Sequence, residues 1–529
     1  MRQPALVILL VAAVGCQTGG DLPVCNLLSS DVRVDKLAAG DEVESEGTLL
    51  CVSQSGKVFV AWVDNRTGTD VIWLNSSTDG AKTFLGNAVQ VNQGLEGAET
   101  PSHVYNPALA CTDDQVYVAW EDDRDGELQN HNIYFNSSED NGKTWREQDV
   151  ALDNDPEGRY FSEVPVLSAV DDLVYVAWFS GDFGSFDIFL AASEDAGATW
   201  GLPVAVESDV PGSAYSANPS MVAQSDGTVF VAWEDSRNAL TVDDGNDIYF
   251  AKSVNRGGSF STDIRLDGGD DAGDHNSFTP QIAADGSNIY VVWFDGRNAQ
   301  EADGPRDIYA NYSADGGNNW QSNATIVEDA QGEYANQPGF FNSRFPVLAV
   351  KGNEAVVAWE DNRGIGYDIY ARRMVDGAPE GAEARLDGGN LTTPSGFGQA
   401  NSLRPQLSSS GSNVVVVWSD DRAVDDAASG FSDLYYNCTH DFGKTWDAED
   451  KRVDNVTAGA SFKVDVNVAL IGETITAAWA DGRDGSSDIW VHTMTKGEAA
   501  DYVVDGDPDL CVREDPVDAT TGGTTRTRE

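Results

Sequence analysis

An all-β propeller of eight four-stranded antiparallel blades is the fold class predicted by this 529-residue sequence. Three observations predict it. A strand-like segment ending in Trp recurs eight times, at Trp62, Trp120, Trp178, Trp233, Trp293, Trp359, Trp418 and Trp479. The interval is about 60 residues, longer than a kelch or WD40 repeat. Each unit holds four strand candidates with no helical periodicity between them. Finally, Val32-Arg-Val-Asp35 copies the last strand of a unit although no earlier unit precedes it.

In chain order, residues 1–15 read as an export signal: Arg2 is a minimal positive region and Ala5–Val14 an apolar run too short to span a bilayer. The run closes on Ala13-Val14-Gly15-Cys16, which resembles the lipobox of bacterial lipoproteins, where the Cys is lipidated and the signal is cut before it. The other reading is a simple secretory signal with an incidental Cys. Residues 16–29 then form the lipidated Cys16 and its tether, 30–507 the propeller, and 508–529 a tail low in apolar residues, mostly disordered. Val32–Asp35 is expected to pair with the third strand of the last unit and close the ring, with Tyr502–Asp505 the competing donor. The expected location is a bacterial cell envelope, periplasmic or surface-exposed, with the protein a monomer held only by its lipid. Export permits disulfides. Apart from Cys16 there are five cysteines, and Cys25 and Cys511 flank the folded region, so a bridge between them would fasten the termini.

Within a unit the first strand often begins at Pro (Pro107, Pro165, Pro219, Pro280, Pro346, Pro405), where a missing N–H costs least. The Trp strand is an unbroken β-branched and aromatic run, as expected of a strand buried on both faces. The third carries Asp-Ile-Tyr or a relative, at Asp187, Asp247, Asp307, Asp368, Asp433 and Asp488; the fourth is of the Arg265-Leu-Asp267 type.

Between the third and fourth strands lies a second motif. Ser138-x-Asp140-x-Gly142-x-x-Trp145 recurs at Ser193, Asp195, Gly197 and Trp200 and at Ser313, Asp315, Gly317 and Trp320. Looser copies hold Thr439, Asp441, Gly443 and Trp446; Ser253, Asn255, Gly257 and Phe260; and Ser77, Asp79 and Phe84. Physically it is a hairpin turn: the Asp accepts backbone N–H groups, Gly takes positive φ, and the aromatic anchors the turn. The motif resembles the Asp box, or BNR repeat, of the sialidase superfamily of propellers, and units six and eight lack it. The resemblance implies a structural turn on the face opposite the active site, in glycosidases, glycan-binding and protein-binding propellers alike.

That resemblance places function on the loops joining strands two and three and those entering strand one. The former repeat Trp-x-Asp-x-Arg, pairing Asp64/Arg66, Asp122/Arg124, Asp235/Arg237, Asp295/Arg297, Asp361/Arg363, Asp420/Arg422 and Asp481/Arg483. An Asp accompanying every Arg reads as a loop latch rather than a carboxylate-binding ring. Sialidases also hold the substrate carboxylate with a Phe/Tyr-Arg-Ile-Pro arginine; Ser343-Arg344-Phe345-Pro346 is the nearest counterpart and Leu403-Arg404-Pro405 a poorer one. Unit three breaks the latch rule at Trp178-Phe-Ser-Gly-Asp182 and enters its first strand through Arg159-Tyr160-Phe161-Ser162-Glu163. Arg344, Glu163, Tyr160 and Asp182 are therefore the candidate catalytic residues, with ordinary loop drift the other reading of unit three.

The five His show no zinc spacing, so no metal site and no cofactor is expected; Ca²⁺ on the acidic loops Asp243–Asp247 and Asp267–Asp274 is the one weighed against plain solvation. With 87 acidic and 33 basic residues, a net charge of −54 excludes nucleic-acid binding. The functional expectation is a lipid-anchored propeller that binds a glycan or protein ligand through its loop face. An exo-α-sialidase-like glycoside hydrolase is the alternative.

Overall fold

In a computed structural model, the described residues are 31–35, 43–93, 103–124, 130–155, 159–182, 184–239, 245–299, 304–328, 339, 341–363, 366–388, 400–422, 431–456, 461–483 and 485–495. They form eight four-stranded antiparallel sheets and no helix. The first strands are Ser45–Val52, Val104–Cys111, Phe161–Val170, Ser216–Ala223, Ser277–Asp285, Ser343–Lys351, Ser402–Ser410 and Lys463–Ile471. Each pairs with its Trp strand, that with the third strand, and that with a fourth, short in every blade but the sixth, where it is Ala378–Arg385. Neighbouring first strands pack on one another around the ring, including the last on the first.

The closing strand is the N-terminal one, as expected. Val32 and Arg33 pair with Val491 and Trp490, completing the eighth blade as its outermost strand. Val34 N–H donates to Ile489 O at 2.8 Å and Ile489 N–H to Asp35 Oδ2 at 2.9 Å, with both Val34 and Asp35 fully buried. Pairing the last blade with the chain start removes an open sheet edge. The signal segment, Cys16, Tyr502–Asp505, the tail and both cysteines of the expected Cys25–Cys511 bridge lie outside the described residues.

All eight motif tryptophans are buried, and six donate Nε1–H to the Asp two residues later, such as Trp62 to Asp64 at 2.9 Å. The hydrophobic clusters lie between blades, so each blade is incomplete without its neighbour. A disulfide absent from the sequence reading, Cys51–Cys111, ties the first strands of blades 1 and 2 across a separation of 60 residues, one repeat. Cys438 is a buried thiol.

The Ser-x-Asp-x-Gly turns fold as their chemistry requires. In blade 2, Ser138 Oγ bonds Asp140 Oδ1 at 2.9 Å and accepts Gly142 N–H, while Asp140 accepts Thr144 N–H and Oγ1–H at 2.8 Å. Blades 1, 3, 4, 5 and 7 repeat the Ser/Thr–Asp/Asn core of this set. Gly142 has φ +78°, and a Cβ there would lie 2.4 Å from Leu74 of the preceding blade. The motif aromatics reach the same neighbour: Trp200 packs edge-on against Phe135 at 4.7 Å. Blade 6 replaces the motif with the two-residue turn Asp376-Gly377, both at positive φ.

Candidate functional site

Strand one begins and strand two ends at the end opposite these turns, and there every first strand carries a bulge. The pairing of strands one and two slips once in each blade, between Glu46/Leu49, Tyr105/Ala108, Glu163/Val166, Ala217/Ser220, Phe278/Gln281, Arg344/Val347, Leu403/Gln406 and Val464/Asn467. One residue per slip sits at positive φ: Gly47, Asn106, Val164, Asn218, Thr279, Phe345, Arg404 and Asp465. Six of them precede Pro, a position normally driven to extended backbone, so the conformation costs energy and must be held from outside.

Carboxylates from alternate blades hold it. Glu121 Oε1 accepts Val164 N–H of the next blade at 2.6 Å and Asn106 Nδ2–H of its own at 2.7 Å. Glu234 treats Thr279 and Asn218 alike, and Glu360 accepts Arg404 N–H and Arg344 Nε–H, both at 2.6 Å. Asp465 accepts Gly47 N–H at 3.0 Å to complete the circuit. Burial raises Glu234 and Glu360 above the usual carboxylate range, against the hydrogen bonds that lower them. A bulge re-aims the side chains beside it, here on the innermost strands at the central mouth.

The mouth has two unlike halves. Around blades 3–6 it is aromatic: Phe179 packs on Phe186, Phe186 on Tyr215, Phe278 on Phe294 and Phe294 on Phe345, at 5.3–6.1 Å. Across the ring, blades 7, 8, 1 and 2 enclose a cavity of about 980 Å³ lined by Glu46, Tyr105, Asn106, Asn401, Arg404, Gln406, Phe431, Lys463, Asp465 and Asn467. Tyr105, a residue 39% exposed, has its ring backed by His131 stacked on it at 4.8 Å, and His131 Nδ1 pairs with Glu121 Oε2 at 3.2 Å. The Glu121 bond raises His131 above its ordinary range, and burial raises the Tyr105 phenol. Lys463 is fully buried, with Nζ donating to Ser432 O, Ser461 Oγ and Asp433 Oδ1 at 2.9–3.2 Å, so it fastens blade 8 to blade 7.

Each sequence-derived candidate has a clear place. All seven latch arginines bond the Asp two residues earlier and stack on a third-strand aromatic ring at 4.0–4.4 Å. They are latches. Arg344 lies at the mouth on blade 6, bound to Glu360 and stacked on Tyr367 at 4.3 Å. Arg404, one blade on, is exposed and has no ion-pair partner among the described residues. On blade 3, Glu163 is half-buried opposite Phe179 and raised by burial and by the Glu121 charge. Tyr160 is exposed, and Asp182 ends the Trp strand opposite Ser185. Among the described residues no hydrogen bond joins the side chains of Tyr160, Glu163 and Asp182. Asp267 and Asp270 of the second acidic loop pair with Arg265.

No protein-family model matches the chain, and no curated protein does. Solved structures with a similar fold include a PL25 ulvan lyase (12% identity, covering 89% of this chain and 96% of that one, TM-score 0.44). Others are the α-L-arabinanase of Penicillium chrysogenum (14%, 74% and 93%, 0.36) and the NanB sialidase of Streptococcus pneumoniae (11%, 88% and 94%, 0.37). At these identities and scores the likeness assigns neither an activity nor a ligand to this chain.

Proposed function

We propose that this protein is a glycan-binding propeller, displayed from a cell envelope through a lipid on Cys16, with its site in the cavity enclosed by blades 7, 8, 1 and 2. One observation carries the reading: an aromatic face held rigid from behind, Tyr105 on His131, opens with an exposed guanidinium, Arg404, that makes no ion pair among the described residues, into a cavity rich in amide and carboxylate groups. A sugar presents an apolar ring face and a fringe of hydroxyl groups, and this pairing of stacking surface with converging polar groups suits both. Arg404 supports a glycan carrying a carboxylate or sulfate, which a guanidinium binds bidentately. The test is a glycan array probed with the purified protein, with Arg404→Ala and Tyr105→Ala as controls. Binding that ignores both substitutions would refute it.

Turnover is the second reading, favoured by one observation. Burial and the Glu121 charge raise Glu163, the direction required of a general acid, and Tyr160 and Asp182 belong to the same blade. Release of a fluorogenic sialoside that stops in Glu163→Gln supports hydrolysis; no release leaves binding alone.

A further inference from the structure

On the opposite face, the turn between the third and fourth strands of blade 7 gathers a thiol, an imidazole and a carboxylate. Ligand atoms of Cys438, His440 and Asp447 lie within 4.8 Å of one another, with Cys438 buried, His440 exposed and Asp447 between. Cys438 Sγ donates to Asp447 Oδ2 at 3.2 Å, and Asp447 N–H donates to Cys438 O at 3.0 Å. The backbone between them is fixed by the turn: Thr439 Oγ1 bonds Asp441 at 2.7 Å and Asp441 accepts Thr445 N–H at 2.8 Å.

The repeat supplies its own control. The three positions are occupied by Ser76, Thr78 and Leu85 in blade 1, Ser137, Glu139 and Arg146 in blade 2, and Ala192, Glu194 and Gly201 in blade 3. Blade 4 has Lys252, Val254 and Ser261, and blade 5 has Tyr312, Ala314 and Gln321. The same hairpin bond joins the outer two positions in blades 1, 3, 4, 5 and 7, so the comparison is between equivalent sites. No other copy has more than one residue able to ligate a metal through sulfur, imidazole or carboxylate, and blade 7 has three.

We infer that Cys438, His440 and Asp447 form a site for one divalent ion of borderline softness, of the Zn²⁺ class. Mixed sulfur, nitrogen and oxygen donors select such an ion over Ca²⁺, which takes oxygen alone. Ligand atoms around a tetrahedral zinc stand about 3.5 Å apart, from metal–ligand lengths of about 2.0–2.3 Å. The exposed His440 ring closes the difference by rotation. The Cys438 thiol releases its proton to solvent on binding, and water takes the fourth position. Lys451, whose Nζ is 2.8 Å from Asp447 Oδ2, is the built-in competitor and must give up that oxygen.

The test is a Co²⁺ titration of the chelator-treated full chain, followed by Zn²⁺ displacement. A thiolate-to-metal charge-transfer band should grow to saturation and disappear on Zn²⁺ addition. Cys438→Ser should abolish it, and His440→Ala should weaken binding at least about tenfold, the loss seen even for outer partners of metal ligands. Ser occupies the equivalent positions at Ser76 and Ser137, so Cys438→Ser should keep the wild-type melting temperature without metal. The inference is overturned if no charge-transfer band forms, if it survives Cys438→Ser, or if Co²⁺ affinity is unchanged in both variants, which would mark adventitious binding to acidic surface.

Discussion

Removing the closing strand, residues 31–35, is the sharpest perturbation of the fold. Among the interactions its loss strips are five in which buried or part-buried donors lose their acceptors. Ile489 N–H loses Asp35, Asn75 Nδ2–H loses Val34 O, Arg66 loses Asp35 O, and Arg483 and His492 lose Asp31, at 2.7–3.0 Å. Each buried donor left unpaired costs about 1–3 kcal/mol, and exposing the Val34 contact surface adds about 1.5–3 kcal/mol. Water reaching the opened seam recovers part of this, so a loss of roughly 5–10 kcal/mol is expected, comparable to the whole stability of an ordinary fold. Urea and thermal unfolding of the deleted and intact chains measure it. Deleting Tyr502–Asp505 should do far less. A deletion of 31–35 that leaves the unfolding midpoint in place, or the reverse ranking of the two deletions, would refute closure by the N-terminal strand.

Three further outcomes follow from the structure. Gly142→Ala should cost about 1–3 kcal/mol in urea unfolding, because its Cβ would strike Leu74, while Gly80→Ala, also at positive φ but with nothing within 4 Å, should cost about 1 kcal/mol. Reducing Cys51–Cys111, or replacing both cysteines with Ala, should lower stability by about 4 kcal/mol from loop entropy over a separation of 60 residues, read as a drop in melting temperature. Stability should be higher near pH 4.5 than at pH 7. Burial raises Asp149, Asp153 and Asp450 to about 6, so the folded state binds protons that the unfolded state releases near pH ~4, and stability falls as pH rises across that window. Below it the sign reverses: hydrogen bonds hold Asp79 and Asp441 at about 2, and their contribution disappears as pH drops toward that value. A melting temperature that climbs steadily from pH 4.5 to 8 would contradict this balance.

The fold was legible because each blade repeats local chemistry that needs no long-range information. The Trp-x-Asp pair, the Ser-x-Asp-x-Gly turn and the Asp-x-Arg latch each close a hydrogen bond within a few residues, so sequence spacing already implies geometry. Val32–Asp35 was legible for the same reason, as a fourth strand lacking its first three. The Cys51–Cys111 bridge was not, since it joins equivalent strands of two blades and depends on how neighbours align. The mouth was hidden for a related reason. Asn106, Val164 and Arg404 look unremarkable before Pro, and only the cross-blade bonds to Glu121 and Glu360 show that these positions are bulged and held. Arg344 matched the sialidase Phe/Tyr-Arg-Ile-Pro pattern better than Arg404, but spacing to Pro does not report that Glu360 pairs with it. Cys438, His440 and Asp447 escaped because a hairpin, not a spaced ligand motif, brings them together.

The measurement that tests the functional account most directly is calorimetric titration of the best array ligand into wild-type protein, Arg404→Ala and Tyr105→Ala. Losing a charge-assisted hydrogen-bonded pair worth about 1.5–3 kcal/mol should weaken binding by about 10–150-fold in Arg404→Ala. Losing the backed ring should cost about 0.5–1.5 kcal/mol in Tyr105→Ala, with melting temperatures unchanged in both. Full affinity in both variants, or an array on which no glycan binds, would contradict a glycan site in the cavity between blades 7, 8, 1 and 2.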